Sequence, residues 1–201
     1  MYMCRGCFLS SSTILKEKTM SRIEPLTVES ASPQAAEILT AIKGKIGMVP
    51  NIYASMAHSP AALSAALAFG EAMGKSTLSA GVKEQLALAI AGVNNCDYCA
   101  SAHTAIGKGA GLSESELATS ISGSSSDPKT HAILTLAKSI VTNRGNITDN
   151  ELSEVRNAGV SEAEIVEVVA AVAINTFTNY FNHIAATEID FPVVRTGAAV
   201  S

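Results

Sequence analysis

The chain has few aromatic residues and no apolar run long enough to cross a membrane. None of its 201 residues is tryptophan, and the aromatic residues together make up 4%. Its longest mainly apolar stretches, such as 86–93 and 166–174, fall well short of the about 20 residues that a membrane-spanning helix requires. Charged residues make up 16% and the formal net charge is −4. We therefore expect no membrane span and no nucleic-acid partner.

Cysteine is also scarce, but its four residues form two Cys-x-x-Cys pairs, Cys4/Cys7 and Cys96/Cys99. Small secreted scaffolds that rely on disulfides are shorter and richer in cysteine. We therefore expect a cytoplasmic protein. In such a reducing compartment a close cysteine pair is more often catalytic or metal-binding than structural.

Alanine-rich helical sequence is what the chain has in abundance. Hydrophobic residues make up 47% of the chain, enough for a sizeable core at this length. Alanine is the best helix former, and no segment shows the sustained alternation typical of a strand. The sequence predicts an all-α helical bundle.

Serine–proline pairs and glycine-rich turns mark the expected helices. Ser32 and Pro33 begin a helix that runs to about Lys45, and Ser59 and Pro60 begin another that reaches Met73. Ser79 is expected to cap a third helix, which is interrupted at Asn94-Asn95 before a new turn begins at Cys96. Further helices are predicted from 112, over 129–143, 148–157 and 161–187. Loops are expected at 47–51 and 123–128, and the glycines of 107–111 are expected to end the helix that carries the cysteines.

The ends of the chain differ from its middle. Residues 1–20 have no helical period and no apolar core of signal-peptide length, so we interpret them as a disordered leader or the product of an upstream start. Residues 21–194 are expected to form a single helical domain, and 195–201 a disordered tail.

An internal repeat emerges when the two halves are shifted by eighty positions. Glu84 then falls on Glu164 and His103 on His183, whereas the positions of Cys96 and Cys99 hold Thr176 and Asn179. This alignment predicts two related helical units, an active copy over about 59–122 and a degenerate copy over about 129–187.

The segment from Glu84 to His103 carries the reactive groups. At 100° per residue, Cys96, Cys99 and His103 share a narrow helix face. The free N–H groups of a helix start favour a thiolate, and His103 lies one turn beyond Cys99, where it can exchange a proton. If the chain kinks at Asn94-Asn95, Glu84 folds back toward the same face. This arrangement indicates redox chemistry.

These four residues match every position of the pattern Glu-x11-Cys-x-x-Cys-x3-His. The chain thereby resembles the alkylhydroperoxidase D-like branch of the carboxymuconolactone decarboxylase superfamily. The segments 48–52 and 57–60 also look like the region preceding the motif in peroxidase-related members, and the resemblance covers residues 22–192. It implies an all-α fold that assembles as a trimer or hexamer.

The resemblance also implies an activity, that of an antioxidant thiol peroxidase that reduces alkyl or hydrogen peroxides. Cys99 attacks the peroxide, Cys96 resolves the product to a disulfide, and Glu84 and His103 relay protons. A dithiol reductant, dihydrolipoamide-like or thioredoxin-like, restores the pair, and no cofactor or metal is expected. This chain has Tyr98 where some members have a histidine, which puts catalytic power or the choice of reductant in doubt.

Several other interpretations of the motif are open. The cysteines are either an inert buried pair or zinc ligands together with His103, with Glu84 or Cys4/Cys7 completing the set. A carboxymuconolactone decarboxylase-type enzyme is a further alternative, although such members generally lack the cysteine pair. A non-catalytic, oligomerising helical protein is the last.

The remaining histidines and Tyr98 have more ordinary interpretations. His58 is expected to pack or cap, or to edge the pocket, His131 to be solvated, and His183 to be a structural remnant. Tyr98 either donates a hydrogen bond near the thiols or is an exposed aromatic residue at an oligomer contact.

Overall fold

The computed structural model describes residues 21–197, and within them it shows nine α-helices and no strand. The all-α prediction is confirmed. The predicted leader, Cys4/Cys7 and residues 198–201 of the predicted tail lie outside the described residues. The helices are α1 (Pro33–Ile46), α2 (Asn51–Met56), α3 (Pro60–Gly74), α4 (Ala80–Asn94), α5 (Asp97–Gly109), α6 (Glu114–Ile121), α7 (Pro128–Asn143), α8 (Asp149–Asn157) and α9 (Glu162–Ala185).

Short polar side chains begin most helices, as the sequence predicts. Ser32, Ser59 and Ser79 each accept a hydrogen bond from a backbone N–H in the first turn of the helix that follows. Such bonds satisfy amide groups that the helix itself leaves unpaired. In α6, α8 and α9 the cap residue and a glutamate three positions later bond reciprocally, forming a capping box.

Two details differ from the prediction. Helix α2 is a separate six-residue helix after Pro50, too short to show a helical period in the sequence. Helix α9 ends at Ala185 rather than 187, because Ala186 adopts a left-handed conformation with φ of 48°.

Helix α4 is the centre of the fold. All seven residues from Gln85 to Ala91 are buried, as expected of a helix that is covered on every side. Leu88 and Ala91 join a core cluster with α1, α2, α3 and α5, whereas Leu86 and Ile90 join a second cluster with α7 and α9. The cysteine pair belongs to the first cluster.

After α9, the chain returns across the start of α5. The Asp97 carboxylate accepts bonds from the backbone and hydroxyl of Thr196 and pairs with Arg195 at 2.7 Å. Ser101 accepts a bond from the backbone N–H of Val194. The first residues of the predicted tail are therefore tied to the helix that carries the cysteines. None of the helices in residues 21–197 combines the length and apolarity needed to cross a membrane.

Candidate active site

A sharp break between α4 and α5 positions the cysteine pair. Asn95 is left-handed, with φ of 54° and ψ of 42°, and Cys96 follows in an extended conformation as the N-cap of α5. The Cys96 Sγ accepts a hydrogen bond from the backbone N–H of Cys99 at 3.4 Å. The kink expected at Asn94-Asn95 is confirmed, as is the Cys-x-x-Cys pair at a helix start.

Both sulfurs lie against the C-terminal half of α9. The Asn182 Nδ2 donates to Cys99 Sγ at 3.2 Å and lies 4.0 Å from Cys96 Sγ. Cys96, Cys99 and Asn182 are all buried, with exposed fractions of 2%, 3% and 5%. Because burial removes water from around the thiols, each hydrogen bond that a sulfur accepts has a large effect on its pKa.

The two thiols are not equivalent. The Cys96 thiol donates to the Cys99 sulfur, and this bond, with further help from Asn182, lowers the pKa of Cys99 despite its burial. The same bond and burial raise the pKa of Cys96. Cys99 is therefore the thiol that ionises first, and a thiolate is the nucleophilic form of cysteine.

Glu84 and His103 form a pair beside this unit. The Glu84 Oε2 and His103 Nδ1 are 2.8 Å apart, with side-chain exposed fractions of 17% and 25%. The break at Asn95 thus folds α4 back along α5, as the sequence predicts. His103 lies one turn from Cys99 on α5, and among the described residues neither member of the pair hydrogen bonds a thiol.

Tyr98 has a structural environment that the sequence did not reveal. It is 5% exposed, so its interpretation as an exposed aromatic residue is wrong. Its hydroxyl donates to Asp190 Oδ1 at 2.8 Å and accepts the backbone N–H of Ile52 at 3.2 Å. Its ring meets that of Phe191 edge-on. Tyr98 therefore joins α2, α5 and the C-terminal segment rather than donating to a sulfur.

A cavity of about 220 Å³ lies between the start of α5 and the end of α9. Cys96, Tyr98, Asn182 and Thr187 are among its lining residues. Cys96 lines this cavity and Cys99 does not. The sulfur that lines the cavity, Cys96, is therefore not the sulfur that ionises first, Cys99.

The other predicted residues lie elsewhere. His58 bonds the Glu24 carbonyl, and His131 accepts the Ser125 backbone N–H, both outside the cavity. His183 lines the cavity and bonds the Asn94 carbonyl at 2.9 Å. Glu164 caps α9 and pairs with Lys129. Within residues 21–197, no three Cys, His, Asp or Glu side chains are grouped so as to hold a metal ion.

Sequence reasoning missed the asparagines of α9. Asn179 is fully buried, and its Oδ1 accepts a bond from Asn94 Nδ2 at 2.9 Å. The shift by eighty positions aligned Asn179 with Cys99, but no pattern in the sequence places these two residues side by side. The available signal was the recurrence of asparagine at 175, 179 and 182, which places three amide side chains at helical spacing in the C-terminal half of α9.

Comparisons with known proteins bear on the fold and on the segment that holds the motif. Residues 60–125 match the carboxymuconolactone decarboxylase family model. No curated protein sequence matches the chain. The structure resembles an alkylhydroperoxidase AhpD core, an uncharacterized peroxidase-related protein from Ralstonia eutropha JMP134, with a TM-score of 0.76 and 22% identity over 85% of this chain and 93% of that one.

Two further structures share the fold. A peroxidase-related protein from Silicibacter sp. TM1040 has a TM-score of 0.74 and 20% identity, covering 86% of this chain and 94% of that one. A cysteine-to-alanine variant of the debrominase Bmp8, in complex with 2,3,4-tribromopyrrole, has a TM-score of 0.72 and 19% identity, covering 86% and 93%.

The family match over residues 60–125 and the shared fold agree with the resemblance to the alkylhydroperoxidase D-like branch of the carboxymuconolactone decarboxylase superfamily. The resemblance drawn from the sequence is confirmed. The motif residues Glu84, Cys96, Cys99 and His103 all fall within the matched segment.

Proposed function

We propose that this protein is a thiol-dependent peroxidase that reduces alkyl or hydrogen peroxides, with an antioxidant role. The observation that carries the proposal is the hydrogen bond at 3.2 Å from the buried Asn182 amide to Cys99 Sγ, which together with the neighbouring Cys96 thiol lowers the pKa of Cys99. A buried thiolate with a second thiol beside it suits a cycle between dithiol and disulfide.

In the first step, the Cys99 thiolate attacks the terminal oxygen of the hydroperoxide. The O–O bond breaks, the alkoxide or hydroxide takes up a proton, and Cys99 becomes a sulfenic acid. Cys96 then attacks the sulfenic sulfur, and water leaves as the disulfide forms. A dithiol reductant, dihydrolipoamide-like or thioredoxin-like, exchanges with the disulfide and restores both thiols.

The Glu84–His103 pair transfers the protons in this cycle. The Glu84 carboxylate orients the imidazole through the 2.8 Å contact at Nδ1. The other ring nitrogen, Nε2, is then left to exchange a proton with the thiols or with the departing oxygen. A bridging water carries the proton over the one helical turn between His103 and Cys99. The cycle fits a reducing compartment such as the cytoplasm, where dithiol donors are abundant.

Peroxide consumption with dihydrolipoamide as the electron donor tests the activity. Cys99→Ser should abolish turnover, and Cys96→Ser should accumulate a sulfenic acid at Cys99 that a dimedone probe labels. Cys4→Ser/Cys7→Ser is the control and should retain full activity. Turnover that persists in Cys99→Ser would refute the assignment of the attacking sulfur.

Reductive debromination is a second candidate, favoured by the fold shared with the debrominase. The same thiol pair can supply two electrons: a bromoarene and two thiols give the arene, hydrogen bromide and a disulfide. Bromide release from 2,3,4-tribromopyrrole, measured beside peroxide consumption, separates the two activities. Bromide release without peroxide turnover would favour this candidate.

We also propose that the protein assembles as a homo-oligomer through α9. Large apolar side chains are exposed on this helix at intervals of three, four or more residues: Val166, Val169, Phe177, Tyr180 and Ile184. An exposed apolar stripe of this kind is typical of a helix that packs against a partner. Sedimentation should show a trimer or hexamer that Val169→Glu dissociates and that the exposed-site control Glu114→Gln leaves intact.

A further inference from the structure

Two asparagine side chains of α9 face the cysteine pair and were assigned no role by the motif. Asn182 donates to Cys99 Sγ at 3.2 Å and is only 5% exposed. Asn179, one turn earlier on α9, is completely buried. A buried amide N–H that points at a sulfur stabilises a negative charge there, in the same way that backbone donors stabilise an oxyanion.

The orientation of the Asn179 amide is set by a third asparagine. Asn94, at the end of α4, donates from Nδ2 to Asn179 Oδ1 at 2.9 Å. This bond leaves the Asn179 Nδ2 as the free end, and within the described residues it has no hydrogen-bond partner. A fully buried donor without a partner is costly, so it suits a site where a negative charge develops.

The Asn179 amide affects the ionisation of Cys99. The nearby Asn179 amide, like that of Asn182, lowers the pKa of Cys99. Asn182 is nearer to Cys99 than to Cys96, at 3.2 Å against 4.0 Å. Both amides therefore favour charge on Cys99 over charge on Cys96.

We propose that the amides of Asn182 and Asn179 form a donor pair that binds the Cys99 sulfur as it becomes an anion. The donor pair rests on the proposed function and adds to it, because it makes Asn182 a catalytic residue in contact with the reacting sulfur and Asn179 its partner. It acts twice in the cycle. It stabilises the thiolate that attacks peroxide, and it stabilises Cys99 as the leaving group when the reductant opens the disulfide at Cys96.

The pH dependence of Cys99 alkylation tests the donor pair without any peroxide. The full-length protein is reduced and treated with iodoacetamide between pH 5 and 10, and labelling of Cys99 is followed by peptide mass spectrometry. Asn182→Leu and Asn179→Leu should each raise the midpoint by about one pH unit, the effect of losing one charge-assisted hydrogen bond.

Asn175→Leu is the matched control, because Asn175 lies on the same helix but its amide bonds the carbonyl of Ala171 within α9. Its midpoint should equal that of the wild type. If either leucine variant fails to fold by circular dichroism, the alanine variant at the same position is measured instead.

Midpoints that stay within about 0.2 unit of wild type in both Asn182 and Asn179 variants would overturn the proposal. Alkylation requires no turnover. The experiment can therefore refute the donor pair without refuting the peroxidase activity, and the reverse. Raised midpoints without peroxide turnover would uphold the donor pair and reject only the function proposed above.

Discussion

The Glu84 carboxylate and the His103 imidazole meet at 2.8 Å although nineteen positions separate them in the chain. The left-handed Asn95 makes this possible by ending α4 and turning α5 back along it. With its Nδ1 held by a carboxylate, the ring has a fixed orientation and one nitrogen left for proton exchange. The pair is thus arranged as an oriented base, and each of its members should matter for turnover.

Replacing Glu84 by glutamine should lower kcat/KM for peroxide by about a hundredfold, the lower range of general acid–base contributions. The glutamine is isosteric but cannot stabilise a charged imidazole. Steady-state kinetics across pH 5–9 measure the effect. Glu114→Gln, which breaks the exposed pair with Lys108, should leave the rate unchanged. A Glu84→Gln enzyme with wild-type kinetics would remove the pair from the mechanism.

The two thiols should react at different pH values. Because hydrogen bonds from Cys96 and Asn182 lower the pKa of Cys99, while the bond to Cys99 and burial raise that of Cys96, Cys99 should alkylate below the about pH 8.5 of an ordinary thiol. Cys96 should resist labelling well above that pH. Iodoacetamide labelling, resolved by fragment ions of the peptide that holds both residues, gives the order. Labelling of Cys96 first would contradict the assigned roles.

The fold could be predicted to a large extent because its signals are local. Ser32-Pro33, Ser59-Pro60 and Ser79 each satisfy the first amides of a helix, and such caps are readable within four residues of sequence. The motif at Cys96 and Cys99 was equally visible, since its spacing along one helix is fixed by the helical period.

The parts of the site that could not be predicted depend on packing between distant segments. Asn182 meets Cys99 from more than eighty residues away, and Asp190 meets Tyr98 from a segment that has no regular structure. No helical period connects such residues. The interpretation of Tyr98 as an exposed residue was wrong for the same reason. Whether Tyr98 is exposed depends on where the C-terminal segment crosses α5.

Alkaline pH should destabilise the fold through Cys96 and Tyr98. Burial and the nearby Asp190 carboxylate raise the pKa of Tyr98, and the bond to Cys99 with burial raises that of Cys96. The unfolded chain releases these protons near pH 8.5 and pH 10 while the folded chain keeps them. The free energy of unfolding should therefore fall as pH rises above about 8.5. Cys99 has a lowered pKa, so its contribution is complete above that pH and does not alter the slope.

Urea denaturation between pH 7 and 11 measures this decline. Tyr98→Phe should flatten it above about pH 10, and at pH 7 it should cost about 1–3 kcal/mol because the part-buried hydrogen bond to Asp190 is lost. Glu114→Gln, at a side chain that is 86% exposed, should reproduce the slope of the wild-type curve. An unchanged curve for Tyr98→Phe would mean that the hydroxyl ionises as freely in the folded as in the unfolded chain.

The packing of α4 against α6 should depend on Gly92. A Cβ added at this glycine would collide with the backbone carbonyl of Ile121, and a carbonyl at the end of a helix cannot turn aside as a flexible side chain does. Gly92→Ala should therefore lower the free energy of unfolding by about 1–3 kcal/mol, the usual cost of overpacking. It should also slow peroxide turnover, because Gly92 lies three residues before the turn that places Cys96.

Gly70→Ala makes the same change inside α3, where a Cβ meets no atom within 4 Å. Alanine is the better helix former, so this variant should gain up to about 1 kcal/mol. Chemical denaturation of the two variants side by side isolates the collision from helix propensity. Equal stability changes of the same sign would show that α6 moves away from α4 freely, and that close contact between these helices does not fix the position of the cysteine turn.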